Sequence, residues 1–349
     1  MSAHPSPKVH VLFQIRDEPW GGGNQFLKGL RDHLRGLGRY CETPEAADVI
    51  LFNSHHELDS VLRIKRAHPG KAFIHRVDGP IEVVRGSGRE IDKAIFAYNE
   101  RIADGTVFQS QWSMDRSREQ GMPANALETV IHNAPDPGVF HPPAAPPAGD
   151  GRIGVIATSW STNPKKGFEV YAHLDAHLDF SRFSMTFIGN APTPFKHIRH
   201  LPAAASAVVA EEMRGHRIFI SASHLEACSN AIVEALNCGL IALVRDNSSQ
   251  PELVGDRRFV FQGPGDIVAA VERAAAAYAE WHPLRKVERM DDVGGRYLAF
   301  AEAAFQARSE GRGKRFTGLD ALALASAGLM ERARAKAKRV WARAAGPAR

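Results

Sequence analysis

Glu226 and Glu234 lie eight residues apart in the stretch from His224 to Gly255, one ahead of a short helix and one inside it. Residues 218–222 read as a buried strand, and Asn230 to Asn237 as a helix stopped at Gly239. Leu240 to Val244 is a second strand, followed by a new helix start at Pro251. Helices opening near Ser229 and Pro251 should therefore face one edge of a parallel sheet. Their first N–H groups lack intrahelical partners and carry partial positive charge, which suits a phosphate or a sugar oxygen. A carboxylate in the loop can reach a sugar hydroxyl, and one a turn into the helix can take a ribose diol.

Other residues of chemical interest stand at strand ends. Lys165 and Lys166 precede Gly167, between a strand and a helix. Gly21-Gly22-Gly23-Asn24 separates the first apolar strand from a helical pattern running from Gln25 to Arg35. That arrangement lets backbone approach a phosphate or sugar, although the G-x-G-x-x-G spacing of a dinucleotide site is absent. Asp78 ends a strand just before Gly79-Pro80, so it either faces a cleft or serves the turn. His75, inside that strand, reads as a core histidine. The three cysteines, Cys41, Cys228 and Cys238, have no metal-ligand spacing, and there is no Asp-x-Asp pair, so no metal and no cofactor is expected.

The elements that must position these residues come in two sets. Strands at 9–15, 47–53, 72–77, 105–109 and 128–131 alternate with helices at 25–35, 57–68 and 91–102 and one opening at Ser110. Residues 142–151 are rich in Pro, Ala and Gly without periodicity and form a linker. Strands at 153–158, 184–189, 218–222, 240–244 and 259–262 then alternate with helices at 167–177, 207–215, 230–237 and 266–281. Strand–helix alternation argues for parallel sheets with helices on both faces. The expected fold class is α/β, with two Rossmann-like domains over 1–145 and 146–288. Residues 289–349 add C-terminal helices, one from Tyr297 to Arg308 and a basic one from Leu322 to Ala345.

Glu226, seven intervening residues, Glu234-Ala-Leu, Cys238-Gly239 and Pro251-Glu252-Leu253-Val254 resemble a known signature. It is the donor site of the retaining, nucleotide-sugar-dependent glycosyltransferases of group 1, family four, which have the GT-B fold. The resemblance implies two domains facing each other across a cleft, with the acceptor in the first and the donor in the second. It implies that the loop at Gly22 and Gly23 closes over the donor diphosphate and the acceptor. Lys166, with Lys165 beside it, would sit on the donor phosphates, Glu226 on sugar hydroxyls or the reacting face, and Glu234 on the ribose diol. Backbone N–H groups of Cys228, Ser229 and Asn230 would hold sugar oxygens or the distal phosphate. Asp78 stands where family members often carry a histidine, and Ser161 where they usually carry an arginine. The stretch Asn133-Ala-Pro-Asp136 replaces the usual Asn-Gly-Val-Asp.

The implied activity is transfer of a sugar from a nucleotide diphosphate to a hydroxyl acceptor with retention at the anomeric carbon. In a front-face displacement the departing diphosphate takes the acceptor proton, and cations and N–H donors stabilise the developing charge. A hydrolase acid–nucleophile pair fits less well, because Glu234 lies within a helix beside the expected phosphate ligands. Two alternatives remain: a nucleotide-sugar epimerase, and a sugar-nucleotide-binding protein with degenerate chemistry, which Ser161 and Asp78 encourage. Phe187 to Asn190 and residues 201–210 resemble the edge where the base rests, and the 297–308 helix is expected to cross back to the first domain.

The chain of 349 residues has room for two cores, and its 44% apolar and 24% charged residues exclude the disordered and integral-membrane classes. The formal charge of +5 is uneven, since residues 331–349 hold seven basic residues against one acid. The remaining body is therefore close to neutral, which argues against a nucleic-acid partner. The basic segment reads either as an amphipathic helix on anionic membrane or as a solvated tail. Residues 1–8 hold no apolar leader, no run is long enough to span a bilayer, and the cysteine usage suits a reducing cytoplasm.

Overall fold

Strands that are apolar along their whole length must be covered on both faces, and parallel sheets are built that way. The computed structural model describes residues 6–16, 22–145 and 150–325. Its first sheet takes β1 (Val9–Leu12), β2 (Val49–Asn53), β3 (Ala72–Val77), β4 (Gly105–Phe108) and β5 (Glu128–Val130) in sequential order, every pair parallel. Every residue of β2 and β3 is buried. Helices α1 (Gly22–Gly36), α2 (Leu58–Ala67), α3 (Ile81–Arg85), α4 (Arg89–Ile102) and α5 (Gln111–Glu119) intervene. A parallel bridge from Tyr40 reaches Val9 on the far side of β1, so the chain reverses its lateral direction between β1 and β2.

The second sheet holds β6 (Ile153–Ser159), β7 (Phe183–Gly189), β8 (Arg199–Leu201), β9 (Ile218–Ser221), β10 (Ile241–Arg245) and β11 (Val260–Phe261). Its order is β11-β10-β9-β6-β7-β8, again all parallel. The direction of travel reverses between β6 and β9, which opens a crevice at their carboxyl ends. The helices are α6 (Phe168–His177), α7 (Ser206–Arg214), α8 (Asn230–Asn237), α9 (Gln250–Val254), α10 (Pro264–Ala276) and α11 (Tyr278–Trp281). The last long helix, α12 (Met290–Ser309), returns to the first domain. Its Met290, Val293, Tyr297, Ala301 and Ala304 pack with Phe26, Leu27 and Leu30 of α1 in the core of the first sheet.

Several boundaries differ from those expected of the sequence. β1 stops at Leu12 because the Phe13 and Ile15 amides fold back on carbonyls two residues earlier, at 3.1 and 2.9 Å. Gly22 and Gly23 form the first turn of α1 and not the loop before it. The Asn24 carboxamide fixes that entry by exchanging two 2.8 Å hydrogen bonds with the Arg16 backbone. The short β8 and α3 carry no recognisable periodicity and were not anticipated, and the 266–281 helix breaks at Ala277 into α10 and α11. Residues 318–325 are helical, and Leu324 is buried against the α2–α4 side of the first sheet. The rest of the expected basic helix, from 326 on, lies outside the described residues. No described helix is long and apolar enough to cross a membrane.

One close approach sets the crevice of the second sheet. A Cβ on Gly167 would lie 2.0 Å from the Ala222 carbonyl oxygen at the end of β9, and its φ of +75° is one that side chains resist. Gly167→Ala is therefore expected to destabilise the protein by about 2–4 kcal/mol, through overlap and backbone strain together. Urea unfolding measures this, and a variant as stable as the wild type would show that the loop has room to retreat.

Candidate functional site

The carboxyl ends of the two sheets face each other across a cavity of about 470 Å³ lined from both domains. One wall is the loop after β6. The Asn163 carboxamide accepts the Lys165 amide at 2.9 Å and closes a tight 3₁₀ turn over Pro164–Lys166. Residues in such a turn project about 120° apart, so adjacent lysines cannot face the same way. Lys166 lines the cavity and ion-pairs with Glu226. Lys165 does not line it; its ammonium crosses to the first domain and donates to the carbonyls of Val83 and Val84, at 3.4 and 3.0 Å. The Ser161 hydroxyl accepts the Asn163 amide at 3.1 Å, so this position shapes the turn and supplies no cation.

Glu226 is brought to Lys166 by backbone stitching. The His224 amide donates to the Lys165 carbonyl at 2.7 Å, which ties the loop after β9 to the loop after β6. From behind, the Glu226 amide donates to the Ser248 hydroxyl at 3.1 Å, and the Ser249 hydroxyl donates to the Glu226 carbonyl at 2.8 Å. Buried Gln250 completes the brace, accepting from the Ser221 hydroxyl and donating to the Ser223 carbonyl, each at 2.6 Å. The start of α9 thus serves as a strut. Contrary to expectation, the helix opening at Pro251 presents no ligand donors, because residues 247–254 do not line the cavity. Glu252 instead points across the domain boundary and accepts the Gln111 and Trp112 amides at the start of α5, both at 2.8 Å.

The other helix opening does face the cavity. Cys228, Ser229, Asn230, Ala231 and Glu234 all line it, and no side chain caps the first turn of α8. Its first N–H groups therefore have no side-chain cap. Burial pushes the pKa of the Cys228 thiol up to about 12. The carboxylate of Glu234 has no hydrogen-bond or ion-pair partner among the described residues, and burial raises its pKa to about 7.

On the first domain, Asp78 lines the cavity and accepts from Arg76 at 2.6 Å, Gln109 at 2.6 Å and Asn53 at 3.1 Å. Arg76 is fully buried, donates to Asn53 at 2.5 Å and Asn133 at 2.7 Å, and lies over the Phe26 ring at 4.7 Å. This polar layer continues across the cleft: Asn133 donates to Asn230 at 2.8 Å, and Asn230 donates to the Gly22 carbonyl at 2.6 Å. A Cβ on Gly22 would come within 2.8 Å of Asn230, so glycine there permits the approach, whereas Gly23 has open space around it. Both glycines line the cavity. His75 is a core histidine as expected, bonded to Asn99 and the Ser54 carbonyl, with burial lowering its pKa to about 4. Arg76 and Gln109 are not among the residues expected from sequence, although an arginine inside an otherwise buried strand is a usable signal, and Asn133 is noted there only as part of the Asn-Ala-Pro-Asp stretch, with no role. Arg85 of α3, also unanticipated, lines the cavity from the first domain. Among the described residues no group of three His, Cys, Asp or Glu could hold a metal.

No protein-family model matches the sequence, and no curated protein is similar enough to it to count as a match. Solved structures do match. HepE of Anabaena, solved in complex with UDP-glucose, is 14% identical with a TM-score of 0.59, covering 87% of this chain and 99% of its own. Sucrose-phosphate synthase from Thermosynechococcus elongatus is 12% identical with a TM-score of 0.60, covering 95% and 100%. The catalytic domain of Arabidopsis thaliana starch synthase IV, bound to ADP and acarbose, is 14% identical with a TM-score of 0.54, covering 83% and 79%. The fold is GT-B. In a GT-B molecule the cavity described above is the cleft between the two Rossmann-like domains.

Two outcomes follow from this geometry. Asp78→Ala leaves a buried guanidinium without its counter-charge and should cost about 3–5 kcal/mol, whereas Asp78→Asn keeps two of the hydrogen-bonding directions and should cost less; chemical denaturation ranks the two. For Glu234 the folded pKa is raised above the unfolded 4.5, so ionisation penalises the fold in full above about pH 7 and not at all below about pH 4.5. Glu234→Gln should accordingly stabilise by on the order of 1–2 kcal/mol at pH 8 and lose that advantage by about pH 4.5. Equal gains at both pH values would contradict the assignment.

Proposed function

We propose that the protein is a retaining glycosyltransferase that moves a sugar from a nucleotide-diphosphate sugar to a hydroxyl acceptor. The observation that carries this reading is the group Lys166, Glu226, Glu234 and the uncapped start of α8, gathered at one sheet reversal inside the interdomain cleft. A cation, a row of N–H donors and two carboxylates at that spacing match the diphosphate, the sugar and the ribose of one donor. In this reading Lys166 and the α8 N–H groups meet the diphosphate as the anomeric C–O bond breaks. Glu226, held by Lys166, accepts from sugar hydroxyls. Glu234 accepts from the ribose diol in its ionised form. Asp78, locked by three donors, faces the acceptor side.

The transfer balances without a further reagent. The anomeric carbon–oxygen bond to the diphosphate breaks, the acceptor oxygen bonds the same face, and the acceptor proton passes to the departing diphosphate oxygen. The protein supplies preorganised charge and excludes water. Lys166 and the helix opening take the place a divalent cation fills elsewhere. The folds shared with HepE and the two synthases support the same general chemistry.

A thermal-shift screen of uridine, guanosine, adenosine and deoxythymidine diphosphates and their sugars identifies the donor. A ligand at tenfold its dissociation constant stabilises by roughly 1.4 kcal/mol. With the donor in hand, Lys166→Ala and Glu226→Ala are each expected to lower transfer by roughly a hundredfold or more while unfolding stays cooperative. Full activity in both variants with every nucleotide sugar would sink the site assignment. Donor affinity should also rise between pH 6 and 8 as Glu234 ionises, and Glu234→Gln should flatten that profile. Incubating donor without acceptor separates transfer from epimerisation, since only an epimerase returns an isomerised sugar.

A further inference from the structure

The charges facing the cleft do not suit a diphosphate unless one more cation takes part. Among the described lining residues the acids are Asp78, Glu226 and Glu234, and the cations are Lys166 and Arg85. Lys166 is already engaged by Glu226, and Asp78 by Arg76. Lys165, adjacent to Lys166, spends its ammonium on two backbone carbonyls of the other domain. Arg85 is the one lining cation with no hydrogen-bond or ion-pair partner among the described residues. A diphosphate brings at least two negative charges into this space, and Lys166 offers it only what it does not give to Glu226.

The placement of Arg85 is built and not incidental. It is the last residue of α3, a five-residue helix that ends at Gly86 with a left-handed φ of +77°. The Lys165 ammonium sits on the Val83 and Val84 carbonyls at that end, and a Cβ on Gly86 would lie 3.8 Å from it. Lys165 thereby docks the end of α3 onto the same 3₁₀ turn that carries Lys166. One turn of chain thus presents one cation to the cavity directly and uses its neighbour to hold a second cavity-lining cation, from the other domain, beside it. A guanidinium also forms paired hydrogen bonds to phosphate oxygens that an ammonium cannot.

We infer that Arg85 binds the diphosphate of the donor from across the cleft, and that Lys165 is a positioning residue that holds it there. The inference rests on the donor-site reading above and adds that the first domain contributes a phosphate ligand, so that diphosphate binding ties the domains together. The same chemistry leaves the nucleoside unaffected, because the base and ribose face the second domain.

The test is calorimetric titration of the full-length protein with the four nucleoside diphosphates named above and with the matching nucleosides. Variants are Arg85→Ala, Arg85→Lys, Lys165→Met and the double variant Arg85→Ala/Lys165→Met. Arg85→Ala should weaken the diphosphate by roughly ten- to a hundredfold, leave the nucleoside within experimental error and leave the melting temperature unchanged, since the side chain is exposed. Arg85→Lys should recover part of the loss. Lys165→Met should weaken the diphosphate less, and the double variant should bind no worse than Arg85→Ala alone, because Lys165 acts through Arg85. A wild-type protein that binds the diphosphate, with Arg85→Ala equal to it, overturns the role of Arg85 and leaves the donor-site reading standing. Additive losses in the double variant overturn the positioning role of Lys165. A wild-type protein that binds none of the four overturns both the donor-site reading and this inference.

Discussion

The crevice at the sheet reversal depends on two backbone segments touching where no side chain fits. Gly167 lies against the Ala222 carbonyl, and the Lys165 carbonyl accepts the His224 amide two residues further on. Because β6 and β9 are neighbours in the sheet although 58 residues separate Ser159 from Ile218, these contacts bring distant loops into register. Lys166 and Glu226 then have no choice but to meet. Their pairing neutralises two groups that are only 30% and 20% exposed, which makes the partly desolvated loop tolerable. It also orients the Glu226 carboxylate before any ligand arrives, so the cost of ordering it is met by folding.

The first domain uses a different device. Its cleft face is floored by a guanidinium with no solvent exposure, and that charge is offset by Asp78 and by the amide oxygens of Asn53 and Asn133. A buried charge paired this way stabilises little by itself, but it is intolerant of displacement. The layer therefore fixes Asp78 and Asn133 in place, and Asn133 passes that rigidity to Asn230 at the start of α8. Glu252 adds a second tie by capping α5 of the first domain from α9 of the second. Beside it, His132 hydrogen-bonds Glu288 at 2.9 Å; burial opposes its charge, but Glu252 and Glu288 outweigh that and raise its pKa. These ties across the cleft are polar, whereas α12 adds an apolar contact to the first domain.

Much of the architecture was legible because parallel sheets covered on both faces leave a strong trace. Val49 to Phe52 and Ile218 to Ile220 are apolar at every position, and a run of that kind between helical patterns admits few other structures. The α8 helix was read at its observed limits because Ser229, Asn230 and Gly239 punctuate it. The three-residue β8 left no such trace, since an edge strand of Arg, His and Leu needs no burial pattern. The first turn of α1 was misread for a related reason: glycine suits a loop as readily as it permits the close approach of Asn230.

The sequence by itself determined the two α/β halves and the spacing of Glu226 and Glu234 on either side of a helix start. Those are local properties, set by periodicity, glycine and capping residues within a few positions. Only the tertiary structure decided which way adjacent side chains point and what meets them across the cleft. Lys165 and Lys166 are equivalent as letters, yet a 3₁₀ turn sends one to the first domain and the other to Glu226. Likewise the helix at Pro251 reads as a ligand site and acts as a brace, because Ser248, Ser249 and Gln250 are consumed in holding the neighbouring loop. Contacts between residues 60 to 140 apart carry no sequence-local signature, and the glutamate pair became half of a cavity only through them.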